Sequence, residues 1–445
     1  MNYAIILAAG KGSRMKYDIP KCGISILGKP MISYIVDEVK KTRIDEIICV
    51  VGYKKEYIYD ILKDSVTYKY QANPLGSADA VKCCKGLVED GYTVILNGDT
   101  PLIDMKLINE VIDYHLCNNN DLTITSLIKD NPKGYGRIIR DNYNKVIDIV
   151  EEMELDNNKI INEVNCGIYC VKTRVLFEAL EKIDNNNIKN EYYLTDIVKH
   201  LYKHKMGCYT INDEIKVLGA NTLADLSKIE EELRLLIINK HLKNGVKIEG
   251  INNVYISKDA ILEDNVEIRN STILGNTTIY SGSSIINSEI RNSTIFNNSS
   301  IEYSLISDSI IGNNCMVGPF SNIRNNSIII GNNRIGNFVE VKNSKIGENS
   351  KLSHLAYMGD TTCGNNVNFG CGSITVNYDG KNKYKTYIGN NVFIGCNTNL
   401  IAPIEIEDDS FIAAGSTIVE DLDKGDFAIA RSIQVTKKGY ASKYE

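Results

Sequence analysis

The sequence predicts two architectures in one chain: a doubly wound, Rossmann-like α/β domain with a mostly parallel sheet, then an all-β parallel helix of hexapeptide repeats. Three observations predict this. In the first half, short β-branched runs alternate with longer helical patterns. After residue 250 the composition shifts abruptly to Asn, Ser, Gly and Ile, and helix signals vanish. Within that second region an aliphatic residue recurs every sixth position.

The elements follow in order. "YAIILAA" (Tyr3 to Ala9) is a strand that runs into the glycine-rich stretch "LAAGKGSRM", Leu7 to Met15, with Pro20-Lys21 just beyond. A secretory segment is not expected, because the apolar run has no basic residues before it and ends in Gly-Lys-Gly-Ser-Arg. A dinucleotide fingerprint needs a third glycine, and Gly10 and Gly12 are followed by Met15. What remains is a turn whose backbone N–H groups approach phosphates, with Lys11, Arg14 and Lys21 to balance charge. The runs "MISYIVDEVKKT", "EIICVVG", "KEYIYDILKD", "TVILNGD" and "DLTITSLI" then alternate helix and strand. Ligands of such a sheet sit at the C-terminal strand ends, where Gly10, Gly98 and Asp99 fall. A first domain therefore spans 1–222. "LADLSKIEEELRLLIINKHLK" (Leu223 to Lys243) reads as one uninterrupted helix, charged on one side and Leu and Ile on the other, within a linker over 223–249.

The second domain spans 250–445. Counting by sixes from Ile256 gives Leu262, Ile268, Leu274, Tyr280 and Ile286. From Ile311 it gives Val317, Ile323, Ile329, Ile335 and Val341, and from Ile388 it gives Ile394, Leu400, Ile406, Ile412 and Ile418. This period means three short strands per triangular coil, the aliphatic residue pointing inward, and about ten coils in all. Breaks in register are expected near Glu289 and over Asn377 to Thr386. Triplets such as Asn270-Ser271-Thr272 read as turns.

Composition excludes several classes. The net charge of −6, with no compensating basic stripe, argues against nucleic acid. No apolar run approaches the roughly 18 residues of a membrane span. Twelve scattered cysteines, without CxxC pairs, suit the reduced cytosol.

Asp99, at a strand end before Thr-Pro, is placed to hold Mg²⁺, which takes one or two carboxylates plus substrate phosphates. The competing reading is a helix N-cap. His200 and His204, four apart, lack the Glu of a zinc protease motif and read as a helix surface. Arg324 and Lys342, eighteen residues apart, stack one coil above the other and suit a phosphate; a solvated basic edge is the alternative.

The ordered motifs LxxGxGxxM with PK, QxxxLG, GDxPL, GYGRI, NxGI and GxN precede a hexapeptide helix. Over the whole chain this resembles the bacterial bifunctional UDP-N-acetylglucosamine pyrophosphorylase and glucosamine-1-phosphate N-acetyltransferase family. The resemblance implies a left-handed β-helix, a homotrimer, and a cytoplasmic enzyme supplying peptidoglycan and cell-envelope precursors. It implies acetyl-CoA-dependent acetylation of glucosamine-1-phosphate, then Mg²⁺-dependent uridylyl transfer from UTP. The main chain of Leu7, Ala8, Ala9 and Gly10, with Gln71, Gly76 and Ser77, would hold the uridine. Lys11, Arg14 and Lys21 would face the triphosphate, Asp99 and Asn221 would bind Mg²⁺, and Gly136, Glu151 and Asn165 would hold the amino sugar. In the β-helix His354 would be the base, with Arg324, Lys342, Tyr357 and Asn368 at the sugar phosphate. Cys371, Asn377, Tyr378, Cys396, Ala414 and Arg431 would line acetyl-CoA. The tail "KKGYASKYE" would complete a neighbour's site. Two departures stand out. Ala78-Asp79 replaces a common Gly-His or Ala-His, and Cys22-Gly23-Ile24 replaces Val-Leu-His. A carboxylate beside a triphosphate is unfavourable unless it points away. An alternative reading keeps only nucleotidyl transfer, with the β-helix used for assembly or regulation.

Overall fold

The computed structural model describes residues 1–12, 15, 17–155 and 161–443. The chain forms two compact units, Met1–Leu233 and Arg234–Glu445. No helix among the described residues is long and apolar enough to cross a membrane.

The first unit is built on strands β1 (Tyr3–Ala8), β2 (Glu46–Val51), β3 (Thr67–Tyr70), β4 (Tyr92–Asn97), β5 (Leu122–Ile128), β6 (Arg137–Arg140), β7 (Val146–Val150), β8 (Glu163–Lys172) and β9 (Met206–Thr210). The sheet order is β9-β5-β8-β4-β1-β2-β3, with the β6–β7 hairpin attached to β8. β1 is parallel to both β2 and β4, and β8 runs against its neighbours β4 and β5. β1 reads as an unbroken apolar run because both faces are covered. Ala4, Ile6 and Ala8 pack on one side and Tyr3 and Ile5 on the other, so two helical layers are needed. Helix α1 (Met31–Val39) supplies Ile32, Ile35, Val36 and Val39 to the first of these cores at helical spacing.

A helix spans Leu223–Lys243, and the division between the two units falls inside it. Its two-sided character is weaker than the sequence suggests. Ile229, Leu233, Ile237 and Ile238 are buried, but so are Arg234 and His241, while Leu223, Leu236 and Leu242 are exposed.

The second unit is a left-handed parallel β-helix. Each coil contributes three short strands, as in Glu267–Arg269, Thr272–Leu274 and Thr278–Ile279. The third face alone is a nine-stranded parallel sheet. From Ile311 to Val341 and from Ile388 to Ile418, the residues counted by sixes are the buried column. Between Ile268 and Ile311 the sixes fail. The inward residues are Ile273, Ile279, Ile285, Ile290, Ile295, Ile301 and Ile306, not Leu274, Tyr280 and Ile286. The slip begins after Ile268, well before Glu289, because these coils are short. Glu267 pairs with Ser284, 17 residues on, and Ser284 with Ser300, 16 on. Met316 pairs with Arg334, a full 18. The expected break at Asn377 to Thr386 is present: Asn368 pairs with Phe393, 25 residues on, and the excess leaves the stack as a hairpin bridged at Tyr378 and Lys383.

The Asn- and Ser-rich composition has a direct cause. Each coil turns sharply at a corner where one residue takes the left-handed conformation, as Asn314, Asn332, Asn349, Asn366 and Asn391 do. Asn tolerates that conformation better than other non-glycine residues. Their amides hydrogen-bond along the axis, Asn349 to Asn366 at 3.2 Å and Asn366 to Asn391 at 3.0 Å. At a second corner, just after Asn270, Asn287 and Tyr303, buried Ser271, Ser288 and Ser304 each accept the backbone N–H of the next coil's serine. The ladders satisfy polar groups that would otherwise be buried without partners.

Candidate active sites

At the C-terminal strand ends of the first unit lies a cleft of about 620 Å³. It gathers Leu7, Ala8, Gly10, Lys21, Asp99, Gly136, Glu151, Asn165 and Asn221. Ala9, Lys11, Gln71, Gly76 and Ser77 are not part of its lining; Arg14 lies outside the described residues. The loop is shaped by close approach. A Cβ on Gly12, at φ 66°, would sit 2.6 Å from Lys21 Cβ, so only glycine lets the lysine lie against the loop. A Cβ on Gly10 would meet nothing, which leaves that backbone open to a ligand.

The Lys21 ammonium contacts the Asp99 carboxylate and donates to Asn221 Oδ1 at 2.9 Å. Asp99 is not a helix cap, because Asp104 caps the following helix α2 (Met105–Cys117) by accepting from Leu107 N–H at 2.8 Å. One carboxylate and one amide oxygen thus converge on a cation. This hard-oxygen pair suits Mg²⁺ completed by phosphate oxygens. Among the described residues, no group of three or more His, Cys, Asp or Glu is placed to hold a metal, and His204 faces Asp121 at 3.3 Å.

A bulge in β8 between Asn165 and Tyr169 shapes one wall of the cleft, which Asn165 and Gly167 line. Gly167 there has φ 75°, and a Cβ would meet Asn97 Nδ2 at 2.4 Å. The Asn165 amide donates to Tyr169 Oη at 2.7 Å while its oxygen accepts from Gly167 N–H at 3.1 Å. Burial pushes the Glu151 carboxyl above its usual range, although Thr195 Oγ1 donates to it at 3.2 Å. A desolvated acceptor with one donor has room for a further N–H or O–H donor. Cys22 and Cys166 also line the cleft; burial pushes each thiol up to about 12.

Asp79, the departure expected to trouble a triphosphate, accepts from Gln71 Nε2 at 2.7 Å. Gln71 is buried beyond the end of β3, its N–H bonded to Val51 O at 2.8 Å. Gly76 is fixed as glycine by φ 126° and by Tyr192 O, 2.4 Å from a Cβ. Ser77 Oγ accepts from Leu194 N–H at 2.9 Å.

In the β-helix, Arg324 and Lys342 are in-register partners on neighbouring coils. Arg324 is not a free cation: its Nε donates to Glu340 Oε1 at 2.9 Å. The next coil places Tyr357 opposite Glu340 and His354 opposite Asn337, whose Oδ1 lies 2.7 Å from His354 Nδ1. An amide oxygen on Nδ1–H leaves Nε2 as the basic nitrogen of an exposed imidazole. Asn377 reaches both Tyr357 Oη, at 3.5 Å, and the carboxylate of Asp360, which also accepts from Asn343. Tyr378 is exposed in the hairpin, and its hydroxyl donates to Gly380 O at 2.7 Å. Asn368 stands apart, on the first face in register with Lys351 and Phe393. Cys371, Cys396 and Ala414 fall on one corner column, linked by Asn397 N–H to Cys371 O at 2.8 Å and Gly415 N–H to Cys396 O at 2.7 Å. Arg431 closes the column by donating to Ala414 O at 2.7 Å. Sequence reasoning missed Glu340, Asn337, Asp360 and Thr195. Subtracting one coil length from His354 would have found Asn337.

Comparison with known proteins gives a consistent result. A family profile described as nucleotidyl transferase matches residues 3–217, and one described as bacterial transferase hexapeptide (six repeats) matches 385–420. A relative from Acholeplasma laidlawii named "Bifunctional protein GlmU" is 49% identical over 100% of this chain and 97% of its own length. Relatives of the same name from Clostridium novyi and Geobacillus sp. are 43% and 42% identical, each covering 99% of this chain and 98% of the relative.

Proposed function

The chain belongs to the bifunctional GlmU family, and from that premise we propose how its two units divide the synthesis of UDP-N-acetylglucosamine. In the β-helix, His354 Nε2 takes a proton from the amine of glucosamine-1-phosphate, and the nitrogen attacks the thioester carbonyl of acetyl-CoA. The coenzyme A thiolate leaves, and N-acetylglucosamine-1-phosphate is formed. Arg324 and Lys342 hold the phosphate, with Glu340 fixing the guanidinium. Cys371, Cys396, Ala414 and Arg431 mark the acetyl-CoA column.

In the first unit, a phosphate oxygen of N-acetylglucosamine-1-phosphate attacks the α-phosphorus of UTP in line, and pyrophosphate leaves. Positioning and charge neutralisation carry this step. Glu151 and Asn165 orient the sugar, and Lys21 faces the triphosphate. When bound, Mg²⁺ held by Asp99 and Asn221 supplies charge neutralisation at the phosphates. The observation that carries the reading is the convergence of Lys21, Asp99 and Asn221 beside an open glycine loop in a chain that also builds a hexapeptide helix.

The two sites should separate chemically. Cys22 and Cys166 are buried and remain protonated near neutral pH, whereas Cys371 and Cys396 are exposed. Iodoacetamide is expected to abolish acetyl transfer, with protection by acetyl-CoA, while uridylyl transfer survives. Parallel loss of both activities would contradict the division.

The enzyme works in the cytosol as a homotrimer. Supporting this, Tyr303, Phe320, Phe338 and Leu355 occupy one corner of four successive coils, all at positive φ and at least 50% exposed. Bulky residues are strained there. The Phe320 and Phe338 rings stack at 5.5 Å. An exposed apolar stripe of this kind marks a contact surface. It adjoins His354, and Asn368, on a different face, fits a site completed by a neighbouring copy. Ile433 and Val435 in the tail are 93% and 81% exposed, as expected of a segment covered by another chain. Light scattering should return three times the 49.6 kDa of the chain; a monomer would remove the trimer.

A further inference from the structure

The side chain of Gln71 is locked in one orientation by groups that can only accept. Its Nε2 donates to Asp79 Oδ2 at 2.7 Å and to Gly76 O at 3.1 Å. A primary amide nitrogen has two protons, and both are engaged here. Neither a carboxylate nor a carbonyl can donate, so rotating the amide by half a turn would set Oε1 against two acceptors. Gln71 is 5% exposed, and water cannot relieve that conflict. Oε1 is therefore the one polar atom of this side chain left for a ligand, and it is an acceptor.

We propose that Asp79 is a specificity-determining positioning residue, which fixes Gln71 so that the nucleobase site offers an acceptor and selects uracil over cytosine. The inference rests on the reading that Gln71 holds the base of UTP. Uracil carries one donor on its pairing edge, N3–H, which meets Oε1. Cytosine carries a lone pair at N3, and against a locked Oε1 it faces repulsion. A glutamine free to turn would present Nε2 to cytosine equally well. The carboxylate at position 79 thus points away from the triphosphate and acts through the amide beside it. A site built for one hydrogen-bond pattern discriminates strongly, because the wrong base leaves a buried group unpaired.

The test uses the full chain with N-acetylglucosamine-1-phosphate and Mg²⁺, comparing kcat/KM for UTP and CTP. The wild type should strongly prefer UTP. In Asp79→Asn and Asp79→Ala the UTP/CTP ratio should fall on the order of tenfold, as one net hydrogen bond implies. The loss should appear in KM for UTP. A merely structural role would lower both nucleotides together and leave the ratio unchanged, which would overturn the proposal. A second measurement needs no variant: N3-methyl-UTP, which lacks the donor, should bind the wild type at least about tenfold more weakly than UTP. Equal binding overturns the assignment of Oε1. If the wild type uses neither UTP nor CTP, the functional reading beneath the proposal falls with it.

Discussion

Replacing His354 with alanine is expected to lower acetyl transfer by about 10²- to 10⁴-fold, the usual contribution of a general base, while uridylyl transfer is unaffected. The two reactions can be followed separately, by release of the coenzyme A thiol and by release of pyrophosphate from UTP with N-acetylglucosamine-1-phosphate. The imidazole is exposed and its Nδ1 is tied to Asn337, so the variant removes a base without opening a core. Asn337→Ala should give a smaller loss in the same reaction, since the ring keeps its nitrogen but loses its fixed orientation. If His354→Ala retains acetyl transfer, the base lies elsewhere.

The second large effect is expected from Asp99→Ala. Asp99 is the one carboxylate in the Lys21–Asp99–Asn221 set. Removing it should lower uridylyl transfer by on the order of 10²- to 10³-fold, as for other single groups that stabilise developing charge, and leave acetyl transfer intact. The variant should also need more Mg²⁺ for half-maximal rate, which a titration of uridylyl transfer against the metal reads directly. A variant with normal metal dependence and rate would remove Asp99 from the metal site.

Much of the architecture is legible in the sequence because burial on both faces writes continuous apolar strands such as Tyr3–Ala8, and because a closed prism demands an inward residue on every strand. The register between Ile268 and Ile311 is not legible by counting. Thr272-Ile273-Leu274 and Ser284-Ile285-Ile286 each carry two adjacent aliphatics, and a six-residue count cannot choose between them. The shortened corners choose, and these depend on stacking against the next coil. The cleft residues on strand ends, Asp99, Gly136 and Asn165, follow from motif and strand position. Their partners do not, because Thr195 and Glu340 act across tertiary contacts: Thr195 reaches Glu151 from 44 residues away and Glu340 reaches Arg324 from the next coil. Asp79 shows the same limit. Its sequence neighbourhood places a carboxylate near a triphosphate loop, and only the fold of the short helix Ser77–Lys82 turns it toward Gln71.

Whether one chain runs two transferase reactions in series can be read by mass spectrometry of purified protein given glucosamine-1-phosphate, acetyl-CoA, UTP and Mg²⁺. UDP-N-acetylglucosamine is expected, preceded by transient N-acetylglucosamine-1-phosphate. Accumulation of N-acetylglucosamine-1-phosphate with UTP untouched, or the absence of any acetylated sugar, would contradict the series.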